Sequence, residues 1–124
     1  MKIPTLLVVD DEPDWRSLYR FELEMDYEIR EARNGPEALR VLESFVPDLM
    51  ILDLMMPEMD GVALLREMER RGLNVPVILS TAVPLGEDPS DLLGHQVVAK
   101  STNMKVLRRA IEEAFERIGQ GQPA

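Results

Sequence analysis

Acidic residues stand at two places in this chain where an apolar run stops. Thr5-Leu6-Leu7-Val8-Val9 ends at Asp10-Asp11-Glu12, and Leu49-Met50-Ile51-Leu52 ends at Asp53. If both runs are buried strands of one sheet, their carboxylates converge at one edge. Like charges about 5 Å apart repel by about 3 kcal/mol at an effective dielectric of about 20, so a cation or a reaction must use such a cluster. Two later runs, Val75–Leu79 and Gln96–Ala99, lead into Ser80-Thr81-Ala82 and into Lys100. A hydroxyl and an ammonium thereby join three carboxylates. Asp10, Asp11 and Asp53 offer oxygen donors only, which suits Mg²⁺ with its few carboxylates, several waters and substrate phosphate oxygens. Asp53 stands alone at its strand end, where its carboxylate can act as a nucleophile and form an acyl phosphate. Phosphoryl transfer needs positioning and charge neutralisation, which Mg²⁺ and Lys100 would supply, with the Thr81 hydroxyl on a phosphoryl oxygen.

The elements that must position these residues are short apolar runs alternating with longer amphipathic stretches. That is the βαβ pattern of a doubly wound parallel sheet with helices on both faces, and such α/β sheets bind ligands outside the carboxyl ends of their strands. Five units are present, with strands expected near 5–9, 27–31, 48–52, 75–80 and 96–99. The second alternates polar and apolar residues, as an edge strand does. Helix one is expected to start at Pro13 and to present Trp15, Leu18, Phe21, Glu22 and Met25 at three-to-four spacing. Helix two is expected over 36–45. Helix three follows Asp60-Gly61 with Val62, Leu65 and Met68 inward. The last helix shows Leu107, Ile111, Ala114, Phe115 and Ile118 against an outer face of Arg108, Glu112 and Glu116. Between strands four and five, Pro84, Gly86, Pro89 and Gly94 crowd together. A proline inside a helix costs about 3 kcal/mol, so the fourth helix is expected to be shortened or missing, at most a turn over 89–94 capped by Asp88.

Composition narrows the functions. The 124 residues, 45% of them hydrophobic, suit one compact domain. A net charge of -9 disfavours nucleic acid as a partner and favours a cation or a basic protein surface. The absence of cysteine excludes thiolate metal sites, and one histidine cannot build an imidazole cluster. The N-terminal apolar stretch is too short for a signal peptide or a membrane span, so a cytoplasmic location without membrane contact is expected. His95 is read as a surface residue and Met50 as core filling. Met55 and Met56 are expected near the mouth of the site. Trp15 lies one turn beyond Asp11, as a packing residue able to report metal binding by fluorescence.

The residues Val9-Asp10-Asp11-Glu12-Pro13, Leu52-Asp53-Leu54-Met55-Met56-Pro57 with Asp60-Gly61, Ser80-Thr81-Ala82 and Lys100 resemble the receiver domain of bacterial two-component response regulators, the CheY-like superfamily. The resemblance covers nearly the whole chain. It implies a flavodoxin-like fold with five parallel strands in the order 2-1-3-4-5. It implies that Asp53 is the phosphorylated residue, with Asp11 a direct Mg²⁺ ligand, Asp10 a ligand mainly through water, and Asp53 and the Met55 carbonyl completing the set. Thr81, Ala82 and Lys100 would bind the phosphoryl group. The implied partners are a histidine kinase or phosphotransfer protein and a downstream protein, and a homodimer through the last strand and helix is a family habit.

Three departures fall in the switching half. Ser101 follows the lysine where the family usually has proline, Val97 stands where an aromatic usually swings inward, and prolines break the fourth helix. The chemistry reads as intact, whereas the usual threonine-to-aromatic relay cannot operate as written. The leading expectation is a phospho-accepting signalling module rather than an enzyme, over residues 1–119 with a tail at 120–124, switching through a bistable loop around Thr81 to Gly94. The alternative is a constitutive protein-interaction domain with the same fold. An aspartyl phosphatase would want an acid two residues after Asp53, where Met55 stands, and the acidic loop after strand one would repel a flavin phosphate.

Overall fold

The computed structural model describes residues 3–82, 91–92 and 95–121. Among these residues six strands form one sheet: β1 (Thr5–Val9), β2 (Glu28–Ala32), β3 (Leu49–Asp53), β4 (Val77–Thr81), β5 (Asp91–Leu92) and β6 (His95–Ala99). Their order is β2-β1-β3-β4-β6-β5. The five parallel strands taken alone stand in the expected order 2-1-3-4-5, a flavodoxin-like arrangement. The two-residue β5 adds an antiparallel edge, pairing Asp91 with Gln96 and Leu92 with His95. Two of the residues expected in a turn over 89–94 are therefore strand; Asp88, Pro84 and most of the expected switching loop lie outside the described residues. An antiparallel pair at a sheet edge needs only two extended residues in register, which Asp91 and Leu92 supply without the unbroken run of amides a helix requires.

Among the described residues four helices flank the sheet: α1 (Pro13–Leu23), α2 (Gly35–Ser44), α3 (Gly61–Arg70) and α4 (Lys105–Gly119). β1, β3 and β4 are buried along their whole length, as central strands covered on both faces must be. Alternate residues serve the two layers. Leu7, Val9, Met50 and Leu52 pack under α2 and α3 with Leu39, Leu64 and Met68. Leu6, Val8, Leu49 and Ile51 face α1 and α4 with Tyr19, Leu23, Leu107 and Ile111.

Caps fix where the helices begin. The Asn34 and Asp60 side chains accept hydrogen bonds from Glu37 N and Ala63 N, each at 2.8 Å, satisfying first-turn amides that the helices cannot. α1 starts at Pro13 as expected, but its inward face differs. Tyr19 and Leu23 are buried, Trp15 and Leu18 pack at the margin, and Phe21 and Met25 stand 76% and 86% exposed. Both registers have three-to-four spacing, and the one that gives Tyr19 a polar partner in the core prevails. On α4, Leu107, Ile111 and Ala114 face inward as expected, while Arg108 reaches across to Asp26 at 2.9 Å instead of facing solvent alone.

Candidate functional site

Parallel pairing brings the strand ends to one edge. Val9 pairs with Leu52, Asp53 with Ser80, and Thr81 with Ala99. Asp10 follows β1, and its N–H continues the ladder to the Ala32 carbonyl at 3.1 Å. Asp53 and Thr81 are the last residues of β3 and β4. Lys100 follows β6, and its N–H donates to the Thr81 carbonyl at 2.8 Å. Four strands thus deliver Asp10, Asp53, Thr81 and Lys100 to one rim.

The side chains meet there. A carboxylate oxygen from each of Asp10, Asp11 and Asp53 lies within 4.8 Å of the other two. Lys100 Nζ sits 2.8 Å from Asp10 Oδ2 and 3.3 Å from Asp53 Oδ2, and the lysine side chain is only 3% exposed. Asp10 and Asp53 are buried and Asp11 is half-buried. Asp10 Oδ1 accepts the Glu12 N–H at 2.9 Å, and Asp53 Oδ1 accepts the Met55 N–H at 3.2 Å. These bonds orient the acids by the loops that follow them. Arg16 Nη1 donates to the Asp10 carbonyl at 2.7 Å, and its Nε lies 3.3 Å from Glu31 Oε1, which ties α1 to the loop after β1.

The electrostatics fit a site that holds excess negative charge. Burial raises the Asp53 pKa, the Asp10 charge raises it further, and the Met55 N–H and Lys100 oppose them without prevailing. Burial also pulls on Lys100 in the direction of the neutral amine, but the close ion-pair contact with Asp10, with the charge of Asp53, outweighs it and leaves the ammonium above its usual value. One ammonium therefore faces three carboxylates. The donor set fits Mg²⁺: three carboxylates converge, and buried Asp10 Oδ2 has its ion pair with Lys100 but no aligned hydrogen bond.

Asp10, Asp11, Asp53 and Lys100 of the sequence-predicted residues are in mutual reach. Thr81 is buried beside them at the end of β4, Ala82 is exposed just beyond it, and Met55 is 59% exposed next to Asp53 on its strand-end loop. Trp15, expected as a packing residue one turn beyond Asp11, puts its ring centroid 5.0 Å from Lys100 Nζ. Two neighbours escaped the sequence reading: Tyr19, whose buried hydroxyl lies 2.9 Å from Ser80 Oγ, and Arg16. The helical spacing of Trp15, Arg16 and Tyr19 after Asp11 was the available signal, since a helix starting at Pro13 carries its first turns over the strand ends.

Comparison with known proteins agrees with this geometry. The family model of the response regulator receiver domain matches residues 6–112. The response regulator TrrA of Thermotoga maritima, solved with Mg²⁺ and BeF, is 38% identical over 89% of this chain and 97% of its own, with a TM-score of 0.77; it has also been solved in complex with the histidine kinase ThkA. The probable transcriptional regulator ycf27 of Pyropia yezoensis is 36% identical over 90% of this chain and 47% of its own length. The phosphate regulon regulator PhoB of Pseudomonas aeruginosa is 34% identical over 94% of this chain and 54% of its own. The chain thus spans about half the length of these two curated relatives. The five-stranded parallel sheet, the acids and lysine at its rim and the extent of the match lead to one conclusion: the chain belongs to the response regulator receiver domain family.

Proposed function

We propose that the chain accepts a phosphoryl group on Asp53 from a histidine kinase or phosphotransfer protein in a Mg²⁺-dependent reaction, and signals by changed contact with a downstream protein. The observation that carries this reading is the convergence of Asp10, Asp11 and Asp53 on one buried edge with Lys100 2.8 and 3.3 Å from two of them. The relationship of TrrA to ThkA supports a kinase as donor. The surplus of acidic residues favours a basic partner surface.

An Asp53 carboxylate oxygen forms the new O–P bond as the P–N bond of a phosphohistidine breaks, and the electron pair returns to the imidazole. Lys100 moves from neutralising two carboxylates to sharing its charge with a phosphoryl oxygen. Thr81 and Ala82, at the end of β4, complete the phosphoryl pocket. The Met55 N–H holds Asp53 Oδ1, which leaves Oδ2 on the Lys100 side as the nucleophile. Asp11, Asp53 and the Met55 carbonyl would hold Mg²⁺ directly and Asp10 through water, and the ion would neutralise charge on the transferring oxygens. Replacing one carboxylate charge by a phosphoryl group of about two charges is the local switch event.

A constitutive interaction domain is the second reading, favoured by Val97, which packs half-buried against the α2–α3 core where the family's aromatic would swing. Intact mass separates the two. Incubation with Mg²⁺ and a small acyl phosphate is expected to add one phosphoryl group, lost in Asp53→Asn and in EDTA. No adduct on the folded native chain, with the donor competent on another receiver, selects the second reading.

A further inference from the structure

We propose that Trp15 is a positioning residue for Lys100: its indole face holds the ammonium over the acidic cluster, on a seat built by Tyr19 and Ser80. The consequence for phosphoryl transfer rests on the function proposed above, while the placement of the ammonium does not.

A residue before proline is confined by the proline ring, but Lys100 is followed by Ser101 and lacks that restraint. Its backbone is fixed by the N–H bond to Thr81. The side chain beyond has four rotatable bonds and must nevertheless deliver its charge between two carboxylates. Asp10 and Asp53 attract it at 2.8 and 3.3 Å, and the Trp15 ring meets it at 5.0 Å, within cation–π range and sheltered from solvent.

The ring itself is held. Trp15 and Tyr19 are neighbours one turn apart on α1, with centroids 6.1 Å apart and planes tilted by 34°. Tyr19 is 2% exposed, and its hydroxyl and the Ser80 hydroxyl share a buried hydrogen bond of 2.9 Å. Ser80 pairs in register with Asp53. The series Lys100, Trp15, Tyr19, Ser80 therefore runs from the end of β6 through α1 to β4 and returns to the phosphoacceptor. A ring that only packed against the core would need neither the ammonium on its face nor a hydroxyl anchor beneath its neighbour.

Trp15→Leu removes the π face and keeps apolar bulk, and Trp15→Phe keeps a smaller ring and carries the test if the leucine variant does not fold. Two readouts are taken on the full chain. By NMR without phosphodonor, the Lys100 ε-methylene protons are expected to be shifted upfield by the indole and to relax in Trp15→Leu, with Trp15→Phe between. By intact mass with Mg²⁺ and an acyl phosphate, the loading rate is expected to fall about fivefold to tenfold in Trp15→Leu and about twofold in Trp15→Phe. In a Lys100→Met background, Trp15→Leu is expected to cost nothing more, because the effect runs through the ammonium. Unmoved Lys100 resonances, or the same loss with and without Lys100, would overturn the proposal. A native chain that shows the ring-dependent shift yet takes no phosphoryl group would sink the proposed function and leave the positioning of Lys100 standing.

Discussion

Gly61 packs its bare Cα against the Asp53 carbonyl: a Cβ there would lie 2.7 Å from that oxygen and 2.8 Å from Leu54 Cα. The Gly61 N–H also donates to the Leu54 carbonyl at 2.9 Å, so the start of α3 is laid directly on the strand end that carries the phosphoacceptor. Asp60, as N-cap, sets the entry angle.

Gly61→Ala tests that contact. Alanine favours a helix over glycine by about 1 kcal/mol, so a site with room would gain stability. Here the opposing atoms are backbone and cannot rotate away. The variant is expected to lose about 1 to 3 kcal/mol in urea unfolding and to load phosphoryl more slowly, as Asp53 is pushed off its position. A gain in stability would show that α3 can lift without disturbing β3.

Lys100→Met separates the two roles of the ammonium. Without it Asp10 and Asp53 share a buried edge uncompensated, and the variant is expected to lose about 3 kcal/mol in EDTA. Mg²⁺ should then rescue more than it adds to the native chain, where it competes with the ammonium for the same oxygens. At a hundred times its dissociation constant an ion bound only by the folded state contributes about 2.7 kcal/mol. Calorimetry with Mg²⁺ titrated into both proteins checks this; equal stabilisation of the two would mean that the ion and Lys100 do not meet.

Asp53→Asn should stabilise the protein at neutral pH without metal. Burial, and then the Asp10 charge, raise the Asp53 pKa above its ordinary 3.8. The folded protein thus holds this proton more tightly than the unfolded chain does. The group favours folding at pH below its unfolded pKa and costs stability as pH rises through the folded value. In EDTA the asparagine variant is expected to have the higher Tm at pH 7, with the gap narrowing toward pH 4. A gap that widens with falling pH would reverse the sign of the shift.

The parts of the site made by strand ends were legible in the sequence, because an apolar run that stops at an acid places that acid at a sheet edge whatever packs around it. Asp10, Asp53, Thr81 and Lys100 are of this kind, and the β1, β3, β4 and β6 boundaries fall within two residues of expectation. What α1 contributes was not legible. Its inward register depends on Tyr19 finding a hydroxyl on Ser80, a residue 61 positions away, and periodicity carries no record of such pairings. Reading Phe21 and Met25 as inward displaced the face by about a third of a turn and so hid Tyr19, while Trp15 was on the expected face but its approach to Lys100 is a contact between elements that spacing does not show. The antiparallel β5 escaped because two residues are too few for a pattern.

Tyr19→Phe removes one oxygen and tests whether the hydroxyl pair is structural support or incidental contact. The Ser80 Oγ would be left in a buried position without the Tyr19 hydroxyl, at an expected cost of about 1 to 2 kcal/mol. Ser80→Ala alone strands the Tyr19 hydroxyl instead and should cost a similar amount. The double variant leaves neither group unpaired, so its loss is expected to be well below the sum, with a coupling of about 1 kcal/mol. Burial raises the Tyr19 pKa, so the hydroxyl stays protonated throughout the neutral range and this coupling should not vary between pH 6 and pH 9, about the range in which an ordinary phenol is also neutral. Strict additivity in a urea-unfolding cycle would mean that the hydroxyls do not depend on each other, and that the register of α1 is held without their hydrogen bond.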